Sequence, residues 1–372
     1  MAEGIVITWG FRPMSENFRR KISMAKKISI IGASGYTGGE LLRWALIHPE
    51  MDVSQITSER FAGQAAYKLN PNLRGFTQMQ FISVKELKTD VDAIFICTPH
   101  KTAAPYVKQF WETGVKIIDL SADFRLKSKE TYAKYYAEHP HPELLQHAVY
   151  GIPELHREEI KKAKLVACAG CLATSVILPL APLIKAKLIS TDSIIADSKI
   201  GSSAGGAGFD ISTHHPERQG SVRSYKPSGH RHTAEIEQEL SAIAGAPVSV
   251  GLTPHGIEMV RGILSTVHVR QNSKLADIDL WKAYRSFFAG SPFVRLVKDQ
   301  QTLYRYPEPK PVVGTNFADI GWEIDQEKGR IILMSAIDNL VKGSGGQAIQ
   351  NFNLMNGFDE KMGLWQPGFH PI

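Results

Sequence analysis

One segment near the N-terminus restricts the possible folds of this chain more than any other. Lys26–Gly32 reads KKISIIG, a short β-branched run ending in glycine, and Gly39–His48 follows with apolar residues at helical spacing. The stretch that joins them, GASGYTGG, is rich in glycine. This order predicts a buried strand, a tight turn and a helix, the unit that opens a dinucleotide-binding sheet.

The same alternation of strand and helix continues to about residue 170. Further strand-like runs are Val53–Thr57, Ala93–Cys97 and Val115–Leu120, with helical sequence before Val115. Strands that alternate with helices predict a parallel, doubly wound sheet, which binds ligands at the carboxyl ends of its strands.

Beyond residue 170 the pattern changes to that of a second, mixed α/β domain. Thr174–Ala186 predicts a helix that Pro179 and Pro182 interrupt or bend, and a loop-rich stretch extends from Gly201 to His230. The remaining predicted elements are strands at Ser193–Lys199, Val248–Leu252, Gly262–Val269 and Gly329–Ser335 and helices at Glu235–Ala244 and Gly343–Asn356. We therefore divide the chain into an extension (1–23), a dinucleotide-binding domain (24–170), a catalytic domain (171–340) and a C-terminal helix that returns to the first domain (341–372).

Composition excludes several classes of protein. The 372 residues are 43% hydrophobic, and 43 Lys and Arg against 37 Asp and Glu give a net charge of +6, which excludes a disordered chain. Three cysteines are too few for a disulfide scaffold and are typical of a reducing compartment, so we expect a cytoplasmic protein. No window predicts a membrane span, no basic-aromatic platform predicts nucleic-acid binding, and Met1–Ser23 lacks the features of a secretory signal.

The glycine turn and the end of the second strand are the candidate cofactor site. The turn has the spacing G-x-x-G-x-x-G, and we assign to it Gly32, Ser34, Gly35, Tyr36, Thr37 and Gly38. Ser58, Glu59 and Arg60 follow the second strand, where a ribose-binding acid is expected for NAD. Glu59 is the one candidate for that role, whereas Ser58 and Arg60 suit the 2′-phosphate of NADP, so we favour NADP(H).

Cys171 is the candidate nucleophile because it lies in VACAGCLATS, just before a predicted helix. Cys168 and Cys171 also form a C-x-x-C pair, but no second pair of ligands accompanies it, so we predict no metal site. The segment YKPSGHRHTAEI supplies His230 and His232 as alternative general bases, and Arg231 between them as an anion-binding residue. Arg261 is a further candidate for binding the substrate.

Seven segments carry a resemblance to a known family, and they extend in order from residue 24 to the C-terminus. They are GASGYTGGELLR (Gly32–Arg43), LSADFR (Leu120–Arg125), YGIPEL (Tyr150–Leu155), the cysteine segment, GHRHTAEIEQ (Gly229–Gln238), TPH with RGIL (Thr253–His255, Arg261–Leu264) and NLVKGSGGQAIQN (Asn339–Asn351). Together they resemble N-acetyl-γ-glutamyl-phosphate reductase. SKIGSSAGG (Ser198–Gly206) and HHPERQGSVR (His214–Arg223) resemble the branch whose substrate is attached to an acidic amino-group carrier protein, LysW.

The resemblance implies a Rossmann-type sheet plus a mixed α/β catalytic domain of the semialdehyde dehydrogenase type, assembled as a homo-oligomer. It implies NADPH-dependent reduction of an acyl phosphate through a thioester on Cys171, in lysine or arginine biosynthesis. Asn316 or Asn339 is then expected near the nicotinamide. The family often has Pro-Gly-Cys where this chain has Ala169-Gly170-Cys171.

Two alternatives remain open from sequence alone. One is the arginine-pathway enzyme that acts on an N-acetylated substrate with the same thiol chemistry. The other is an NADP-binding scaffold without catalysis, against which Cys171, His230 and His232 argue.

Overall fold

The computed structural model describes residues 25–371, so the extension predicted at Met1–Ser23 lies outside the described residues. Two sheets form the centre of the described chain. The first is six-stranded and entirely parallel, with the order β2-β1-β3-β4-β6-β5. Its strands are β1 (Lys26–Ile31), β2 (Met51–Ile56), β3 (Ala93–Ile96), β4 (Lys116–Asp119), β5 (Ala148–Gly151) and β6 (Leu165–Cys168).

Helices cover both faces of the first sheet because its strands are apolar on both sides. Ile94 and Ile96 of β3 pack with one helix of this domain, whereas Phe95, which points the other way, packs beneath the C-terminal helix. The helices of this part are α1 (Tyr36–Ala45), α2 (Ala104–Trp111), α3 (Lys129–Tyr135) and α4 (Pro153–Lys162). The predicted doubly wound sheet is confirmed.

The second sheet has seven strands and is mixed, as predicted. Its order is β11-β12-β13-β10-β7-β9-β8, with β7/β9 and β11/β12 parallel and the other pairs antiparallel. The strands are β7 (Ile194–Ile200), β8 (Val222–Ser224), β9 (Val250–Ile257), β10 (Ile263–Arg270), β11 (Val294–Leu296), β12 (Ala318–Asp325) and β13 (Arg330–Ile337). The helices that follow β6 are α5 (Cys171–Lys185), α6 (His215–Arg218), α7 (His232–Ala244), α8 (Asp277–Phe287) and α9 (Gly346–Met355).

Helix α5 differs from its prediction. It runs without a break from Cys171 through Pro179 and Pro182, although each proline removes one helical hydrogen bond. Its interior is buried against the second sheet and helices α7 and α8. The predicted interruption was wrong because the burial of this apolar helix outweighs the two missing bonds.

The C-terminal helix α9 returns to the first sheet, where Ala348, Ile349 and Phe352 join the apolar cluster beneath α1. A single π-type turn, Val341–Gly345, connects it to the end of β13. No helix in residues 25–371 has the length and apolar character that crossing a bilayer requires.

Candidate active site

Two cavities meet at the start of helix α5. The first, which we call the dinucleotide cleft, has a volume of about 610 Å³ and lies along the carboxyl ends of β1 and β3. The second, the basic cavity, has a volume of about 550 Å³ and lies against the second sheet. Cys171, Arg231 and His232 line both cavities. A ligand in either cavity therefore reaches the same thiol.

The dinucleotide cleft has the backbone that a pyrophosphate needs. Gly32 has φ +80°, and a Cβ there would lie 2.8 Å from the carbonyl oxygen of Cys97, so only glycine fits. Of the residues predicted to bind the cofactor, those that line the cleft are Gly32, Ser34, Gly35, Tyr36, Thr37 and Asn339. Amides at the start of α1 face this space, which suits an anionic cofactor group.

Other residues predicted for the cofactor do not line the cleft. Gly38 lies within α1, and Asn316 is fully buried behind the cleft with its amide nitrogen 2.9 Å from Gln350 Oε1. Ser58 does not line the cleft but contacts the glycine turn, with its hydroxyl 2.8 Å from that of Ser34. Glu59 accepts hydrogen bonds from the backbone N–H of Val84 (2.7 Å) and from the Ser83 hydroxyl (3.1 Å).

Arg261 also lies apart from both cavities. Its guanidinium donates to Glu40 Oε2 at 2.7 Å and to Asp338 Oδ2 at 3.2 Å, which ties helix α1 to the end of β13. The charge is thereby satisfied inside the protein. These contacts give Arg261 a role between the domains, and the expectation that it binds substrate stays a prediction.

Cys171 is the first residue of α5, three residues before the start predicted for this helix at Thr174. Burial raises the pKa of its thiol, while Arg125, the backbone N–H of Leu172 and Arg231 act in the opposite direction. Because burial outweighs these groups, the thiol of the free protein is protonated at neutral pH. A base is needed to form the thiolate.

His232 and His230 differ in whether the lone pair of the neutral ring already accepts a hydrogen bond. The backbone N–H of His232 donates to His230 Nδ1 at 3.2 Å, so the neutral His230 ring carries its proton on Nε2 and acts as a donor. Burial, with Arg231 and Lys226 nearby, lowers the pKa of His230 to about 4. His230 is thus neutral at physiological pH, and its one lone pair is already used.

The ring of His232 keeps its basic nitrogen near the thiol segment. A Cβ placed on Gly170, the residue before Cys171, would lie only 2.6 Å from His232 Nε2. Burial and the neighbouring His230, Arg125 and Arg231 hold its pKa well below the usual value, so the ring is neutral in the free protein. Its Nδ1 has no hydrogen-bond partner among the described residues.

Glu235 organises this centre, and sequence reasoning did not single it out. One oxygen accepts from Arg125 (3.2 Å) and the other from the Tyr150 hydroxyl (2.8 Å) and the Gly170 N–H (2.9 Å). Its Oε1 lies 3.9 Å from His232 Nε2. The signal was present in the sequence, because Arg125 and Tyr150 belong to the LSADFR and YGIPEL segments.

The basic cavity is suited to an anionic ligand. Its charged lining residues are all cationic, namely Lys134, Arg218, Arg223, Lys226 and Arg231. Arg218 donates to the carbonyl oxygens of Ile257 (2.6 Å) and Ile200 (2.9 Å), which holds the guanidinium without neutralising it. No cluster of metal-ligating side chains occurs in residues 25–371.

Gly170→Ala is expected to lower kcat at least tenfold in a protein that still folds. The added Cβ pushes the His232 ring away from Cys171, and misplacement of a base by about 1 Å costs on the order of 10²-fold. Steady-state kinetics and a thermal melt measure the two effects. Gly251→Ala is the control, since Gly251 is exposed on β9, lines neither cavity, and a Cβ there meets only the end of the Ile195 side chain at 3.3 Å and Ile194 O at 3.8 Å. Equal kcat values for the two variants would contradict the assigned position of His232.

A parallel sheet with a glycine turn, a second mixed sheet and a cysteine between their cavities define a dinucleotide-binding protein with a thiol at the junction of its two cavities. Comparison with known proteins agrees. The semialdehyde dehydrogenase NAD binding domain matches residues 27–163, and the semialdehyde dehydrogenase dimerisation domain matches residues 171–339. The chain belongs to the semialdehyde dehydrogenase family, in the group of the LysW-aminoadipate and LysW-glutamate phosphate reductases.

The relatives that place it in that group match over nearly their full lengths. A putative LysW-L-2-aminoadipate/LysW-L-glutamate phosphate reductase of Nitrosopumilus maritimus is 48% identical over 93% of this chain and 100% of that protein. The LysW-L-2-aminoadipate 6-phosphate reductase of Deinococcus radiodurans is 49% identical over 93% of this chain and 98% of its own length. The resemblance to the carrier-protein branch is confirmed.

Solved structures share the fold at low sequence identity. Aspartate semialdehyde dehydrogenase II of Vibrio cholerae, in complex with ASA, has a TM-score of 0.68 and 15% identity over 90% of this chain and 98% of that chain. The predicted fold, with its catalytic domain of the semialdehyde dehydrogenase type, is confirmed.

Proposed function

We propose that this protein reduces the acyl phosphate of LysW-linked 2-aminoadipate or glutamate to the semialdehyde, with NADPH as the hydride donor and release of phosphate. The observation that carries the proposal is the position of Cys171 at the junction of the two cavities. Relatives that are 48–49% identical are named for this reaction. The dimerisation-domain match supports a homo-oligomer.

The charge of the basic cavity supports a substrate of this kind. An acyl phosphate is anionic, and five cations without a lining carboxylate favour it over a neutral compound. Arg231 lies beside the thiol and is our candidate for the phosphate that leaves. The net charge of +6 supports association with an acidic carrier.

The hydrogen bonds of Glu59 support NADP rather than NAD. Its carboxylate already accepts from Val84 and Ser83, which reduces its capacity to accept from a ribose hydroxyl. Arg60 is exposed and has no carboxylate partner in the described part of the chain. A guanidinium at this position is suited to a 2′-phosphate.

Arg60→Ala is therefore expected to raise KM for NADPH about tenfold or more, since a charge-assisted hydrogen bond contributes about 1.5–3 kcal/mol. KM for NADH stays within about twofold. Arg74→Ala, another exposed arginine of the same domain, is the control. If both cofactors weaken equally, Arg60 does not read the 2′-phosphate.

In the proposed mechanism, the neutral ring of His232 takes the proton of the Cys171 thiol as sulfur attacks the acyl carbon. The S–C bond forms, the C–O bond to phosphate breaks, and phosphate departs beside Arg231, taking one proton from solvent to leave as hydrogen phosphate. The negative charge of the substrate's phosphate group offsets the cations that lower the pKa of His232, so the imidazolium is stabilised when it forms. The product of this first half is a thioester on Cys171.

The dinucleotide cleft would hold a reduced nicotinamide, which when bound would supply the hydride to the thioester carbon. His232 returns its proton to the developing oxygen, which gives a thiohemiacetal on Cys171. The same nitrogen then removes that proton while the C–S bond breaks, and the aldehyde leaves. Glu235 holds Arg125 and the Gly170 amide, which keeps this centre aligned through both halves.

The test offers the purified protein three acyl phosphates and follows NADPH oxidation. We expect turnover with carrier-linked aminoadipate or glutamate phosphate, and KM for these to rise several-fold between about 0.05 and 0.5 M salt as charge attraction is screened. Activity with N-acetylglutamyl phosphate alone would assign the protein to ordinary arginine synthesis instead. Absence of turnover with all three would leave only the binding scaffold.

A further inference from the structure

The turn that borders Cys171 on its cofactor side is anchored from behind by a buried ion pair. Val341–Gly345 is a single π-type turn, closed by the N–H of Gly343 on Asp338 O and of Gly345 on Leu340 O, both at 2.9 Å. Turns of this kind are uncommon and occur often at functional sites. Leu340, Gly343 and Ser344 line the dinucleotide cleft.

The turn touches both the nucleophile and the cofactor helix. A Cβ on Gly343 would lie 2.6 Å from Cys171 Cβ, so the backbone of the turn packs directly on the cysteine. Ser344 Oγ lies 3.4 Å from Thr37 Oγ1, and a Cβ on Gly345 would lie 3.2 Å from the Leu41 nitrogen. A shift of the turn therefore changes the distance between the thiol and the bound cofactor.

Lys342 points away from the cleft, into the protein. Its side chain is fully buried and donates to Glu154 Oε1 at 2.6 Å and to Gln350 Oε1 at 2.8 Å. Burial alone would disfavour a charged Glu154, but Lys342 and Gln350 outweigh it and hold its pKa below the usual value. Glu154 lies on α4 and Gln350 on α9, so the turn is tied to two helices of the first domain.

Folding stability alone does not explain why an ion pair, rather than an apolar pair, occupies this buried position. Desolvation of both ions offsets most of their attraction, and an apolar pair of similar volume commonly stabilises a fold equally well. The ionic pair adds a positional constraint. The hydrogen bond between the ammonium and the carboxylate fixes the position of residue 342 and therefore of Gly343.

We propose that Lys342 and Glu154 are positioning residues, which hold the turn 341–345 so that Cys171 and the cofactor keep the distance that hydride transfer needs. Neither residue touches substrate or lines a cavity. Their effect passes through the backbone of Gly343 and Ser344.

The experiment is a double-mutant cycle of Lys342→Met, Glu154→Gln and both together. Each single variant leaves one group unpaired, so both its melting temperature and its kcat fall. The double variant is neutral and recovers most of the melting temperature, yet its kcat stays at least tenfold below wild type, with each KM within about threefold. The deuterium isotope effect on kcat with 4-deuterated NADPH rises, because hydride transfer becomes slower.

A second readout needs neither substrate nor cofactor. Iodoacetamide alkylation of Cys171, resolved from Cys97 and Cys168 by peptide mass spectrometry, is expected to be several-fold faster in the double variant, since the backbone of Gly343 no longer packs on the cysteine. The control pair Arg295 and Asp319, bonded at 2.6 and 2.9 Å on the adjacent strands β11 and β12 of the second sheet, lines neither cavity. Arg295→Met with Asp319→Asn is expected to alter stability alone.

The kinetic arm rests on the proposed function, and the wild-type protein tests that function first. If wild type turns over and the double variant recovers kcat together with its melting temperature, the pair is merely structural and the inference is overturned. An alkylation rate equal to that of wild type overturns it as well, whatever substrate the protein uses.

Discussion

Cys171→Ser is expected to lower kcat by at least about 10⁴-fold, the scale seen when the nucleophile of a covalent enzyme is removed. A serine hydroxyl is far less acidic than a thiol, and His232, whose pKa is held well below the usual value, is too weak a base to ionise it. The dissociation constant for NADPH, measured by fluorescence titration, stays within about twofold, because cofactor contacts come from the glycine turn.

Cys168→Ser provides the control for that substitution. Cys168 is buried and its sulfur accepts from the Asn351 amide at 3.6 Å, a contact that a serine hydroxyl also makes. Its activity is expected to remain within about threefold of wild type, which also separates a nucleophile from a C-x-x-C redox pair. Activity of Cys171→Ser near that of wild type would refute the thioester mechanism.

His232→Asn is expected to reduce kcat by about 10²–10⁴-fold, the usual contribution of a general acid–base group. Asparagine has no basic nitrogen to take the thiol proton. His230→Gln is the matched substitution and is expected to cost less than about tenfold, since its amide retains a donor where the neutral His230 ring presents Nε2–H. Steady-state kinetics with both variants give the comparison.

The reverse order of effects, with His230→Gln the more damaging, would assign the base to His230 and contradict the argument from its Nδ1. The pH profile adds a second check. Because the pKa of His230 is about 4, its protonation does not limit activity between pH 6 and about pH 8. A profile that changes in this range only in His232→Asn would support the assignment to His232.

Much of the fold followed from local pattern. The run Lys26–Gly32, the glycine turn and the helix after it were predictable because strand and helix periodicity depend on neighbouring residues. The helix α5 was predicted from Thr174, three residues after its observed start at Cys171. The interruption of α5 at Pro179 and Pro182 was predicted wrongly, since the packing that keeps this helix continuous comes from distant segments.

In the candidate site, too, some features were predictable from local sequence and others depended on the folded chain. The sequence identified Cys171 and the pair His230 and His232, but it left the two histidines equivalent. The difference between them is one hydrogen bond, from the His232 N–H to His230 Nδ1, which depends on how the chain enters α7.

By itself, the sequence determined the order of elements and the family and singled out Cys171 as the candidate nucleophile, since these are written in contiguous motifs. Only the tertiary structure decided which charged groups are paired. Glu59 and Arg261 each bond to partners in other segments, and Glu235 joins residues 65 and 110 positions away. The physical reason is that the hydrogen bonds and ion pairs that set a group's charge and reach form between segments that only folding brings together.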